Sequence, residues 1–324
     1  MGAARGESRR GIGRSWRILS TGDKRRTIAP VWVPDAAHRG EHYRRWVDRI
    51  CADGGYRFDH RILDSADFGA YTSRRRFFGI FAAGRLPIVF PTPTHAKKPA
   101  PNLFDARAKW RPVRDVLDLH DEGASIFGRK KPLVDATFER IHAGLVKFVA
   151  GGKEAFMVKY NSMSQSGKYV APGIDDPCPT VAVQSRLGVA KACFLAKHFS
   201  GSPADRAISI DGPAHAITTE REGQQVAPFI RREGDTLIYE VYTTDSPIVV
   251  QIKEFMALYG LVDVKMRMLK IPELKRIMGF PANYKLVGTQ AEQKKFIGNA
   301  VEVTMARVIC EALGRMILDF ENAA

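Results

Sequence analysis

The run Tyr56-Arg57-Phe58-Asp59-His60-Arg61-Ile62, then a loop from Asp64 to Ser73, then the segment Arg76 to Ala82, decides the fold class. Apolar or aromatic side chains alternate with charged ones in the first run, the period of a strand with one covered face. Arg76 to Ala82 reads as a second strand. Just upstream, Tyr43, Trp46, Val47, Ile50 and Cys51 recur at helical spacing, and Gly54-Gly55 end that stripe. Helix, strand, loop, strand is a fragment of an α/β sheet that lacks its opening strands.

The surrounding composition narrows the class. The chain has 324 residues, 45% of them apolar and 26% charged, as in an ordinary globular protein. Its 50 Lys and Arg against 35 Asp and Glu leave a net charge of +15, which favours a polyanionic partner, nucleic acid first. The first fifty residues carry 12 basic against 5 acidic side chains. Residues 1–30 show no sustained period and read as a basic disordered lead-in. No apolar run reaches the roughly 18 residues of a membrane span, and residues 1–26, basic without a following apolar stretch, do not read as a secretory leader. Four cysteines suit thiols in a reducing compartment. A cytoplasmic location, prokaryotic or phage-encoded, is expected, and no metal.

Six prolines between Pro87 and Pro112 mark a linker, and Pro132 to Phe148 reads as helix. An internal repeat follows. Phe156-Met157-Val158-Lys159-Tyr160-Asn161-Ser162 matches Phe194-Leu195-Ala196-Lys197-His198-Phe199-Ser200, and Ile174-Asp175-Asp176-Pro177 matches Ile210-Asp211-Gly212-Pro213. Each copy ends in a β-rich run, Thr180 to Val183 and Ile217 to Thr219. Two copies are too few for a solenoid and suggest a small inserted β-rich module. Pro272 starts a helix that Gly279-Phe280-Pro281 terminates. Val301, Met305, Val308, Ile309, Ala312, Leu313, Met316 and Ile317 form the wide stripe of a last helix.

Three segments then resemble, in order, the closing motifs of DNA (cytosine-5) methyltransferases. Gly69-Ala70-Tyr71-Thr72-Ser73-Arg74-Arg75-Arg76 is similar to the family's Gly-Val-Pro-Gln-x-Arg-x-Arg, with Tyr71 and Thr72 in place of Pro and Gln. Arg267 to Pro281 resembles Arg-x-Leu-Thr-x-Arg-Glu-x-x-Arg-Leu-Gln-Gly-Phe-Pro, with Pro272 and Met278 as departures. Gln293 to Val301 resembles the Gln-x-Gly-Asn-Ser/Ala-Val segment that opens the last helix. The resemblance covers about residue 32 to the C-terminus. It implies base flipping out of a duplex, at a few kcal/mol of lost stacking, and a pocket for the flipped cytosine. Two arginines suit that pocket: Arg76 on the cytosine, Arg74 bracing the pocket or a phosphate. Alone, three adjacent arginines would be a solvated loop. The resemblance also implies S-adenosylmethionine as cofactor, contacted by Asn299, Ala300 and Val301. Asn299 reads independently as a helix N-cap, and Glu273 with Arg276 as structural.

In the position of the family's target-recognition domain lie Lys159, Lys168, Gln184, Arg186, Lys197 and Arg206, candidates to read base edges in double-stranded DNA. Each taken alone is a plain surface group. The family's Phe-x-Gly-x-Gly loop, Pro-Cys-Gln nucleophile and Glu-Asn-Val carboxylate have no counterpart. Pro177-Cys178 follows Ile174-Asp175-Asp176 rather than an apolar strand, Pro179 replaces Gln, and the second repeat has Ala214 there. A nucleophilic thiol needs an activating base or an electropositive pocket, and the flanking aspartates would raise its pKa. Cys51, Cys193 and Cys310 read as core.

The expected architecture is therefore a partial Rossmann-like methyltransferase sheet with an inserted β-rich target-recognition domain. The segments are a lead-in (1–30), the C-terminal part of the catalytic domain (31–120), a helical linker (121–150), the recognition domain (151–232) and the return to the catalytic domain (233–324). The expected role is cytosine-C5 methylation, as in restriction-modification systems, with the chain inactive alone. Three origins fit: a subunit whose partner chain carries the N-terminal catalytic half, a broken gene, or a relic. A non-catalytic sequence-specific DNA-binding protein or inactive fragment is the alternative.

Overall fold

The computed structural model describes residues 41–100, 106–160, 169–184, 186–194, 227–233 and 236–323. The lead-in, and with it most of the second repeat copy, lies outside them. Helix α1 (Glu41–Gly54) leads to strand β1 (Tyr56–Asp64), a 3-10 turn (Ser65–Phe68) and strand β2 (Arg75–Ala83). β1 and β2 form an antiparallel ladder from Tyr56 opposite Ala83 to Asp64 opposite Arg75. Their alternation sorts side chains by face. Tyr43 and Trp46 of α1 meet Phe77 and Phe81 edge-on, each with ring centroids 5.4 Å apart. Leu63 and Phe78 face the other way. Ile62, expected under cover, is 62% exposed, although its cross-strand partner Phe77 packs on Tyr43 of α1.

The chain continues through β3 (His95–Ala96), β4 (Ala108–Lys109), a 3-10 turn (Val113–Val116) and β5 (Ala124–Ser125). Helix α2 (Asp135–Gly144) runs into a π-helical turn (Leu145–Val149). Strands β6 (Ala155–Lys159), β7 (Leu187–Phe194), β8 (Ile230–Glu233) and β9 (Thr236–Tyr239) precede helix α3 (Pro247–Tyr259). Then come β10 (Leu261–Met268), α4 (Ile271–Ile277), α5 (Gln290–Asn299) and α6 (Val303–Asn322).

The central sheet has the order β5-β10-β7-β6, and all its pairings are antiparallel. It is covered on both faces. Phe156, Val158, Ala190, Ala192, Val264 and Met266 join Ile252 and Met256 of α3 and Ile141 of α2 in one core. The alternate residues Ala155, Met157, Leu187 and Val189 pack with Leu274, Ile277 and Ile297 from α4 and α5. Double coverage explains why β6 is buried from Ala155 through Val158. Met305 and Ile309 of α6 join Phe68, Leu63 and Phe78 in a third, smaller core.

The architecture is mixed α/β. Two sequence expectations change. The sheet crosses the line drawn at 232/233, since β10 pairs with β7 from Leu261 opposite Phe194 to Met268 opposite Gly188; no local period encodes such a distant partner. Of the second repeat copy only Phe194 is described, so the equivalence of the two copies lies outside the described residues. Thr180 to Val183 forms no strand; its backbone is drawn instead to the arginine loop described below. Among the described residues no helix is long and apolar enough to cross a membrane.

Candidate functional site

The loop between β1 and β2 is built around Asp64. Its carboxylate accepts from the backbone N–H of Ala66 at 3.1 Å and of Arg74 at 3.0 Å, and from the Ser73 hydroxyl at 2.7 Å. The first of these caps the 3-10 turn, which Gly69 ends at φ 85°. A second edge comes from the segment after Ile174. Thr72 and Cys178 form a parallel bridge, with Cys178 N–H donating to Tyr71 O at 2.7 Å and Ser73 N–H to Cys178 O at 2.9 Å. The Thr180 hydroxyl donates to Ser73 O at 2.8 Å.

Arg74 is the knot of the site. Only 5% exposed, its guanidinium donates to Val181 O at 2.8 Å, to Gly298 O at 2.9 Å and to Ala300 O at 3.2 Å. Burial, with Arg76 nearby, lowers its pKa from 12.5 to about 10, and Glu302 offsets part of this. It stays charged at neutral pH, so all three bonds are charge-assisted. Arg76 differs. It is half-buried, its pKa is lowered by burial, and it donates to the Arg75 carbonyl at 2.7 Å. Of the two motif arginines, the first is thus spent on internal carbonyls and the second remains near the surface.

The partner carbonyls lie at the end of α5. A side chain on Gly298 would place Cβ 2.4 Å from Ala182 O and 2.6 Å from Val183 N, so only glycine lets these backbones meet. Asn299 is the last residue of α5, not the cap of α6 as the sequence suggests. Glu302 is that cap, accepting from Thr304 N–H at 3.0 Å and Met305 N–H at 2.7 Å. Glutamate is a poor N-cap in general, which is why the residue escapes a sequence reading. It is 1% exposed, and burial raises its pKa despite the two N–H donors. Asn299 and Val301 are exposed, and Ala300 is half-buried.

The segment from Arg267 to Pro281 joins the same assembly. Val303 N–H donates to Met278 O at 3.1 Å. Arg267 and Glu273 form a bidentate pair, both bonds 2.8 Å, with Glu273 1% exposed. Burial pulls the Glu273 pKa up, but Arg267 and the N–H groups of Lys270 and Asp118 outweigh it and leave the carboxyl low. Arg267 also donates to the carbonyls of Asp118 and Asp121. The pair holds the chain before β5 against α4.

Cys178 is wholly buried, and desolvation pushes its thiol pKa well up. The flanking aspartates are not the cause; Asp175 is paired with Arg114 and Lys153. Cys310, expected in the core, is exposed on α6. Among the DNA-contact candidates, Lys159 and Arg186 come together at one end of the β6–β7 pair, where Tyr160 N–H donates to Arg186 O at 3.2 Å. Gln184 and Arg186 are exposed. Lys168, Lys197 and Arg206 lie outside the described residues.

An arginine loop bonded to the end of α5 and to the segment after Ile174, within a mixed α/β body, brings segments distant in sequence together. The chain belongs to the C-5 cytosine-specific DNA methylase family, whose model matches residues 37–315. That family uses S-adenosylmethionine as methyl donor. Among solved structures the chain is similar to the Dnmt2 methyltransferase of S. pombe, at 11% identity and TM-score 0.40 over 86% of this chain and 63% of that one. A mutant of Spodoptera frugiperda DNMT2 matches at 12% and 0.36, over 86% and 64%. The Entamoeba histolytica methyltransferase EhMeth matches at 14% and 0.35, over 85% and 58%. The chain thus spans less than two thirds of each. No curated protein matches it.

Proposed function

We propose that this chain serves methyl transfer from S-adenosylmethionine to C5 of cytosine in double-stranded DNA, as the C-terminal portion of a Rossmann-like methyltransferase. One observation carries the reading. Arg74 bonds the arginine loop to the Gly298–Ala300 segment, so two segments separated by more than two hundred residues act as one wall. In this role Arg76 meets the flipped cytosine, and Arg74 is the brace behind it. Lys159, Gln184 and Arg186 serve the DNA side, with Lys168, Lys197 and Arg206. The exposed side chains of Asn299 and Val301 form one edge of the cofactor site, where S-adenosylmethionine supplies the methyl group; the Gly298 and Ala300 carbonyls are already taken by Arg74.

The nucleophile comes from a segment outside these 324 residues that carries Pro-Cys-Gln and Glu-Asn-Val. Burial and a raised pKa withhold Cys178 from that role. The test is methyl transfer from labelled S-adenosylmethionine to mixed-sequence duplex DNA, by the purified chain alone and mixed with such a fragment. The expected result is transfer only in the mixture. Turnover by the chain alone overturns the reading. DNA binding that persists without transfer in the mixture makes the chain a non-catalytic DNA-binding protein.

A further inference from the structure

Residues 94–100 and 106–111, within a linker by composition, are two limbs of a strap pinned to the arginine loop. Thr94 N–H donates to Asp67 O at 3.0 Å, and Trp110 Nε1–H donates to the Asp67 carboxylate at 2.9 Å. Arg111 lies 4.3 Å over the ring of Tyr71, which stands where the family pattern has proline. His95 fills the space beside Gly69, where a Cβ would come within 2.8 Å of the imidazole. The two limbs of the strap pair in parallel, Ala96 opposite Lys109. Prolines at 91, 93, 99 and 112 fix φ and limit what ordering costs on binding.

The strap is cationic. Lys97, Lys98, Lys109 and Arg111 are exposed. Among 87–112 the one acidic residue is Asp105, which lies outside the described residues. Elsewhere the lysines around the central sheet are used internally: Lys191 and Lys265 on Glu122, Lys253 on Asp245, Lys270 on Asp121. The three strap lysines make no such ion pair among the described residues. Exposed cations on limbs pinned by hydrogen bonds beside the arginine loop are arranged for an anion that arrives from outside.

We propose that the strap is a ledge for the sugar–phosphate backbone of duplex DNA, which sets the register in which a base meets Arg76. The inference rests on the DNA-methylase reading and adds to it a docking surface outside the recognition segment. Sequence-independent phosphate contacts release counterions, so each appears as about 0.9 in the slope of log K against log salt.

The experiment measures binding of the full chain to a mixed-sequence duplex between about 50 and about 200 mM salt. Lys97→Gln/Lys98→Gln/Lys109→Gln is expected to make the slope shallower by about 2.7 and to weaken binding most at low salt. Lys97→Arg/Lys98→Arg/Lys109→Arg is expected to restore the wild-type slope, which separates lost charge from lost fold. Lys130→Gln/Lys131→Gln, two exposed lysines ahead of α2, should leave the slope as it is. A triple Gln variant with wild-type slope overturns the ledge while the family reading stands. A Lys130/Lys131 variant that loses as much per charge overturns it also, since binding is then generic. A wild-type chain that does not bind duplex DNA overturns both.

Discussion

Replacing Arg74 by methionine removes a buried cation and keeps most of its apolar stem. Three charge-assisted bonds go with it, to Val181, Gly298 and Ala300. At about 1.5 to 3 kcal/mol each, their gross worth is about 4 to 9 kcal/mol. Against this stands the desolvation of the guanidinium, which the lowered pKa of about 10 reports; converted to free energy it is roughly 3 kcal/mol. The net loss expected for Arg74→Met is therefore about 1 to 6 kcal/mol, because the carbonyls of Val181, Gly298 and Ala300 lose their charged donor. Arg74→Lys, with one compact ammonium, cannot span three carbonyls and should recover less than half. Urea unfolding measures both, with the midpoint falling and the slope on denaturant unchanged. A midpoint equal to wild type would refute the bracing role. If Arg74 instead contacts a DNA phosphate, stability is kept and the salt slope of DNA binding drops by about 0.9.

Gly298→Ala should lower stability by about 2 kcal/mol, although alanine is the better helix former, since Cβ would collide with the Ala182 backbone at 2.4 Å; an unchanged urea midpoint would show that the two backbones can separate at no cost. Native-state alkylation followed by mass spectrometry should label the exposed Cys310 first and the buried Cys178 last, and early modification of Cys178 would contradict its burial. The raised pKa of Glu302 makes its cost appear with rising pH. Below the unfolded carboxyl value the group is neutral in both states; as pH rises through the raised folded value, the native carboxylate must ionise while buried, and stability falls. Glu302→Gln is expected to remove this descending component, so that the variant gains on wild type from acid to neutral pH in urea titrations. A stability difference independent of pH would refute the assignment.

Much of the local structure is legible in the residues. The stripe from Tyr43 to Cys51 becomes α1, the alternation from Tyr56 to Ile62 becomes β1, and Pro272 opens a helix near the predicted place. Each rests on interactions within a few residues, which a periodic pattern encodes directly. Caps were less legible. Asn299 has the better capping side chain, yet Glu302 holds the start of α6, because its carboxylate fits between Gly279, which has no Cβ to block it, and the helix N–H groups. The strap limbs, 94–100 and 106–111, carried no period at all. Their order comes from Asp67 and Tyr71, residues that signal nothing of the kind in the sequence.

The sequence by itself determined the family, through three short segments in a fixed order, and the elements that bear them. It also determined the basic charge, which no fold can alter. The tertiary structure alone decided what those segments do to one another. Nothing local to Arg74 distinguishes an internal brace from a surface phosphate contact; its partners lie 107, 224 and 226 residues away. Nor does any period tell β10 that its neighbour is β7, or tell Cys178 that it is shut away from solvent. Hydrophobic patterning fixes which face of an element is buried, but not which distant backbone will come to lie against it. That choice is made by packing of the whole chain, and the candidate site consists of such choices.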